Sequence, residues 1–419
     1  MTMKLPLCLI NWILLAVFCQ PCFAEDDTIN FYTWRYADGA VWNEINRLNL
    51  LPGIQVKTTM INREYYTNTM NLLLQSGEAD LFLWFSGAKN LQPLIEEDFI
   101  EPYWEALSNM NDSAMAAGKG IDGKSYGVPF AVHLQSIMVN QKLLAKHGIN
   151  IAPKTLDELD DVFLTLKERG VTPIFLAAEA DWYVSQVMGE VLVAGTVDPN
   201  YAQDLVHGKA CFNSPEYTQI FEILKRWLDA GFLNQNVTQG DYFEMFTSVA
   251  TGSAAMSFDG GWMTSKSEQY YIKDPDYKFG FWPVPGTVSK YYVHGDGTFQ
   301  AGKSTKNYKQ AKRVLEFTAT KAFAELFAEH AQQLPAYKGD LDIKAGDLAV
   351  MAKLISENAY PVSLFSAYEL NKGSPSYNTL LIEAVGSVLK KQNSPAEAGE
   401  FIQQGINTWS EPHQQTCQN

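Results

Sequence analysis

The chain is short of positive charge and of cysteine, and its only long apolar stretch lies at the start. Lys and Arg number 32 against 47 Asp and Glu, a formal net charge of −15. Binding nucleic acid takes clustered Lys and Arg on phosphate, so that partner is excluded, and adsorption to anionic lipid is disfavoured. Several catalytic signatures are also missing. There is no H-E-x-x-H, no G-x-S-x-G and no complete calcium loop. The six His are scattered, with no two at ligand spacing on one helix. No metal, cofactor or catalytic residue is therefore expected. Glu96-Glu97-Asp98 reads as a solvated helix end, not as a glycosidase pair. Disorder is excluded as well, because 46% of residues are hydrophobic and only 19% charged.

One signature is present and misleading. Gly118 to Ser125 spells G-x-x-x-x-G-K-[ST], a phosphate loop letter for letter. That motif works only between a strand and a helix. Here polar, Ala-rich sequence precedes it and Tyr126-Gly127-Val128-Pro129 follows, so it reads as a glycine-rich surface turn.

The start of the chain reads as a cleavable export signal. Lys4 is the only charge before Glu25, Leu5 to Phe18 is mostly apolar, and Cys22-Phe23-Ala24 precedes a cut after Ala24. The stretch is shorter than the ~20 residues that span a bilayer. Export to the periplasm is expected, with a soluble product. Cleavage removes Cys8, Cys19 and Cys22 and leaves Cys211 and Cys417, which an oxidising compartment allows either to pair or to stay free.

Length argues for more than one core, since 419 residues exceed the usual size of a single domain. Asp27 to Trp34, the run from Gly53 to Ile61, and Ala79 to Phe85 are predicted strands. Helical spacing separates them over 40–50 and 64–76, so a parallel sheet covered by helices is expected. Ser125 to Asn140 is predicted to be extended, Thr155 with Glu158 forms a capping box, and Gln310 to His330 reads as one helix. From Asp347 onward helices are expected, broken at Pro361, Gly373-Ser374-Pro375 and Ser394-Pro395.

Four blocks in order then resemble one family, the extracellular solute-binding proteins of family 1, which serve carbohydrate ABC transporters and are maltose-binding-protein-like. They are the "LFLWF…LQPLIEEDFIEPYWEAL" segment, "YGVPFAVHLQSIMVNQKLL…PKTLDEL", "FTSVATGSAAMSFDGGWM" and "FGFWPVPG…GDGTF…TKNYKQAKRVLEF". Departures are His133 in place of an acidic or polar residue, Val139 in place of Tyr, and Leu156 in place of Trp. The resemblance implies an α/β, periplasmic-binding-protein-like fold, two α/β lobes with a hinge and an interlobe ligand cleft. The expected division is 25–132 with 290–337 for the first lobe and 133–289 with 338–419 for the second.

It also implies that a sugar or oligosaccharide is bound and passed to an ABC permease in the membrane, by a monomer. A ligand-sensing subunit or an exported glycan-active enzyme is the alternative. Strand ends expected at the cleft carry rings beside polar groups: Trp34, Trp84, His133, Asp181, Trp182, Asp259, Trp262 and Asp296. Rings suit the apolar faces of a pyranose, and carboxylates its hydroxyl rim. Glycines 260, 261, 295 and 297 are expected to admit the ligand. Arg35, Tyr36, Glu179, Tyr368 and Tyr377 are outer candidates. The pairs Tyr270-Tyr271 and Tyr291-Tyr292 raise ferric iron, but read better as faces of strands or helices.

Overall fold

A computed structural model describes residues 27–103, 107–264, 277–343 and 346–417. The expected signal over 1–24 and the pair Tyr270-Tyr271 lie outside the described residues. No described helix is long and apolar enough to cross a membrane.

Two sheets organise the chain. The first has the order β2-β1-β3-β10-β4. Its strands are β1 (Asp27–Thr33), β2 (Ile54–Met60), β3 (Leu81–Trp84), β4 (Val128–Pro129) and β10 (Thr298–Ala301). β1 runs parallel to both β2 and β3, as the alternation of strands and helices predicts. β10 returns antiparallel and closes the sheet between β3 and β4. β3 therefore has a neighbour on each side, and all four of its residues are buried.

The second sheet contains β5 (Val132–Asn140), β6 (Thr172–Phe175), β7 (Ala254–Gly260), β8 (Phe279–Trp282), β9 (Tyr291–Gly295) and β11 (Ala359–Tyr360). It is mixed, not parallel. β5 enters from the first sheet and is antiparallel to β7, β8 and β9, whereas β6 is parallel to β7. Each passage between lobes reverses the chain, which a local reading cannot register. β9 pairs with β5, so the return crossing falls at Gly295–Gly297 and not at the residue 290 expected from sequence.

Local signals mostly act where predicted. The helix Arg63–Ser76 starts at Asn62, whose side chain accepts from the Glu64 N–H at 2.9 Å, and ends at left-handed Gly77. Thr155 caps Leu156–Glu168, but the Glu158 carboxylate takes the N–H of Lys154, not that of Thr155. The complete capping box belongs to Ser394 and Glu397. The stretch read as one helix from Gln310 is two, Tyr308–Thr318 and Lys321–Ala331, because Thr320 caps the second. The phosphate-loop mimic is a turn: Gly120 N–H bonds Lys124 and Gly123 N–H bonds Gly120, with residues 121–124 exposed.

The first core centres on Phe31, Trp42, Phe299 and Phe323, and the second on Phe163, Tyr217, Trp227 and Phe258. Three chain segments cross between them side by side. The Phe130 N–H bonds Gly297 and the Asp296 N–H bonds Ala131. The Val132 N–H bonds Leu334 and the Ala336 N–H bonds Phe130. Hinges in such folds are a few residues at the ends of elements, as these are. Tyr291 and Tyr292 are strand residues of β9, bonded to Phe281 O and Ser363 Oγ respectively.

A disulfide joins Cys211 to Cys417 across 206 residues of sequence. It fastens the terminal helix Glu411–Thr416, which also anchors through His413 to Leu205 O and Thr416 to Gly208 O. Cys417→Ser is expected to lower stability by about 2–5 kcal/mol through loss of the loop constraint. Urea unfolding with and without reductant checks this; equal midpoints would count against it.

A buried acid sits in the second lobe. Glu190 takes the Phe365 N–H on one oxygen. Burial raises its pKa from 4.5 to about 8. The folded chain thus keeps a proton that the unfolded chain sheds above pH 4.5, so this contribution is full below 4.5 and is lost as pH climbs to about 8. The Tm of Glu190→Gln relative to the parent is expected to rise from pH 5 to pH 8. A pH-independent difference in scanning calorimetry would refute this.

Candidate functional site

Between the lobes, two adjoining cavities of about 420 and 350 Å³ form one cleft. They share Trp34, Arg63, Trp182, Gln186 and Asp296. These residues stand where strands or crossings end. Trp34 follows β1, Arg63 opens the helix after β2, Trp182 follows β6, and Asp296 lies between β9 and β10. This is the expected place for ligand groups in α/β sheets.

The first lobe presents a small aromatic stack. Trp34 lies on Phe85 with ring centroids 4.6 Å apart and planes at 19°. Tyr66 meets the edge of Trp34 at 4.8 Å, and its hydroxyl is fixed by donating to Leu83 O at 2.8 Å. The opposing wall comes from the second lobe. Trp182 packs edge-on to Tyr242 at 4.9 Å and lies 6.5 Å from Trp262. The Tyr242 hydroxyl joins that wall together. It accepts the indole N–H of Trp262 at 2.8 Å and donates to Asp259 Oδ1 at 3.0 Å. Arg63 spans the gap, its guanidinium carbon 5.8, 5.5 and 5.2 Å from the ring centres of Trp34, Phe85 and Trp182.

At the floor, on the hinge itself, lies a charged knot. Asp296 Oδ2 accepts from His133 Nε2 at 2.8 Å and lies 3.8 Å from Arg35 Nη1. Arg35 also reaches Asp38 at 3.3 Å, bonds Gln333, and lies over the Phe130 ring at 4.4 Å. Burial works to raise the Asp296 carboxyl. The His133 ring, its hydrogen bond and Arg35 outweigh burial and hold the pKa down to about 2. Asp38 is pushed the other way, upward, chiefly by burial. Burial lowers His294 to about 4, so that ring is neutral near pH 7; its Nε2 lies 3.0 Å from Gln186 Nε2.

Of the residues expected at the cleft, Trp34, Asp181, Trp182, Trp262 and Asp296 line it. Three do not. Trp84 is 3% exposed and donates its N–H to Asn90 O; the next residue, Phe85, faces the cleft instead. The reversal of side chains along a strand makes a one-residue difference decisive. His133 is 1% exposed and works from behind, through Asp296. Asp259 is also 1% exposed and works through Tyr242. Among the outer candidates, Arg35, Tyr36 and Tyr368 line the cleft, Glu179 is exposed elsewhere, and Tyr377 is core, bonded to Tyr217.

The glycines admit protein atoms, not a ligand. A Cβ at Gly260 would meet the Trp262 ring at 2.1 Å, and one at Gly297 would meet Trp84 O at 2.3 Å. Arg63, Phe85, Gln186, Tyr242 and Gln333 escaped the sequence reading. Arg63 and Tyr242 open helices, where a cap signal hides a cleft residue; Gln333 sits on the third crossing. A larger hollow of about 630 Å³ lies beside the helix Lys321–Ala331. Among the described residues it is lined by Glu325, Glu329, Asp342 and Asp347 and by no aromatic ring.

Fold and cleft define two α/β lobes joined by three crossings, with a cleft between them. The chain belongs to the bacterial extracellular solute-binding protein family, whose model matches residues 48–343. An uncharacterised ABC transporter extracellular-binding protein of Pyrococcus horikoshii is 29% identical over 198 residues, 46% of this chain and 43% of that protein. The maltodextrin-binding protein of Bacillus subtilis is 26% identical over 229 residues, 52% of this chain and 51% of that protein. The chain spans about half the length of the curated relatives it matches. Similar solved structures include a chitin oligosaccharide binding protein, with TM-score 0.70 and 20% identity over 92% of this chain and 99% of that one. An ABC transporter solute-binding protein of Thermotoga lettingae, solved with α-D-tagatose, has TM-score 0.73 and 19% identity over 91% and 99%. These likenesses establish the two-lobed fold.

Tyr242→Phe removes the hydroxyl that couples Trp262 to Asp259. It is expected to cost about 1–3 kcal/mol of stability and to increase acrylamide quenching of tryptophan emission. An unchanged melting curve and unchanged quenching would show that the hydroxyl does not fix the wall.

Proposed function

We propose that this protein captures a sugar or oligosaccharide in the interlobe cleft and delivers it, as a monomer in the periplasm, to an ABC-type permease. The observation that carries the reading is aromatic surface on both lobes facing one gap, with carboxylates, amides and arginines at its floor. Trp262, Tyr242 and Trp182 offer broad apolar area to the C–H faces of a pyranose. Asp296, Asp181, Gln186 and Gln333 supply acceptors and donors for hydroxyls, which need both. The names of the maltodextrin-binding and chitin-oligosaccharide-binding proteins support the same class of ligand.

The mechanism is closure. Trp34 and Phe85 move with the first sheet, Trp182 and Trp262 with the second, and Asp296 stays at the pivot. Ligand held by one wall recruits the other, expels water and favours the closed arrangement. A permease that distinguishes closed from open receives the solute. No bond in the ligand is made or broken.

A thermal-shift screen against mono- and oligosaccharides, followed by calorimetry and product analysis, tests the reading. The expected result is one saccharide class that raises Tm, quenches tryptophan emission and is recovered intact. Trp262→Ala and Trp182→Ala are each expected to weaken that binding by about 10- to 100-fold, the effect of losing an aromatic anchor. No shift with any saccharide, or conversion of the sugar, would defeat it.

A further inference from the structure

Arg63 is the residue whose position the general reading leaves unexplained. It is the first residue of the helix Arg63–Ser76. A cation is unfavourable there, because the helix dipole places partial positive charge at that end. Three rings hold its guanidinium: Trp34 and Phe85 of one lobe and Trp182 of the other. The guanidinium stands beside the Trp34–Phe85 stack, its carbon 5.8 and 5.5 Å from two ring centres that are 4.6 Å apart, and its edge carries five donors in a fixed fork. Among the described residues Arg63 makes no ion pair and no hydrogen bond; its partners are rings.

The surrounding charges point the same way. The cleft is lined by three cations, Arg35, Arg63 and Lys89, and two carboxylates, Asp181 and Asp296. Asp296 is already engaged by His133 and Arg35. Lys89 has one side-chain partner, the neutral Ser376 hydroxyl at 3.4 Å. Arg35 is itself paired with Asp38 and Asp296, which leaves Arg63 and Lys89 as the cleft cations without an ion pair among the described residues. A neutral sugar has no need of a guanidinium that feels Asp296 only from beyond ion-pair reach. A carboxylate on the sugar does, since an arginine fork binds it with two parallel hydrogen bonds.

We infer that the preferred solute is an acidic saccharide, one carrying a uronic acid, whose carboxylate sits on the N–H edge of Arg63. Resting on the sugar-binding reading above, this narrows it to one chemical class. The sugar faces remain against Trp182, Tyr242 and Trp262, and Lys89 completes the positive rim. Asp296 and Asp181 take hydroxyls of the same molecule.

The test pairs each acid with its neutral counterpart: galacturonate with galactose oligomers of two to four units, and glucuronate-bearing xylo-oligosaccharides with plain ones. Calorimetry is run on the whole protein at 50 and 500 mM NaCl. The acid of at least one pair is expected to bind at least roughly 10-fold tighter than its neutral partner, with an affinity that falls at high salt. Arg63→Gln is expected to reduce acid binding roughly 10- to 100-fold and to bring it close to neutral binding. Arg63→Lys, which keeps charge but loses the fork, is expected to fall between. Neutral sugars binding as tightly as their acids, without salt dependence, would overturn the inference and leave the sugar reading standing. Failure of every saccharide to bind would overturn both. The salt comparison uses the unmutated protein, so it decides the matter even where a variant folds poorly.

Discussion

The carboxylate of Asp296 is the point on which the receptor turns. It stands on the second of three crossing segments, its backbone N–H bonds the first at Ala131, and its side chain holds His133 and Arg35. Arg35 in turn grips Gln333 on the third segment. One acid therefore ties hinge and binding floor into a single object. Burial works to raise this carboxyl, and its neighbours more than offset that.

Outward from that knot, the two walls differ in how they are built. The first is a stack of rings after strand ends, steadied by the Tyr66 hydroxyl. The second is held by a relay from Trp262 through Tyr242 to Asp259. The buried members of both arrangements set where the rings that line the cleft stand. Precision in such a cleft depends on these supports as much as on the surface that meets the ligand.

Much of this could be read from the chain, and the failures share a cause. Strand, ring and polar neighbour recur at Trp34, Trp182 and Trp262, so cleft residues at strand ends were legible. Trp84 was misplaced because strand alternation depends on where pairing stops, and β10, 214 residues later at Thr298, decides that. Antiparallel β5 was invisible because crossings reverse direction without any local mark. Arg63 and Tyr242 were missed because a helix start looks the same whether or not it borders a cavity. His133 and Asp259 read as ligand contacts in the sequence; in the fold both are buried and reach the cleft only through Asp296 and Tyr242.

Gly297 lies in the hinge with φ near +115°, against the Trp84 carbonyl and the Phe130 ring. The pivot thus joins two neighbouring positions under opposite kinds of constraint. At 296 the requirement is chemical, and a different acceptor of similar reach would still hold Arg35. At 297 it is one of backbone and space: the positive φ suits glycine, and even one methyl group would strike the Trp84 carbonyl. Sequence drift in this molecule is free to retune what the cleft prefers while the bearing beside it stays locked.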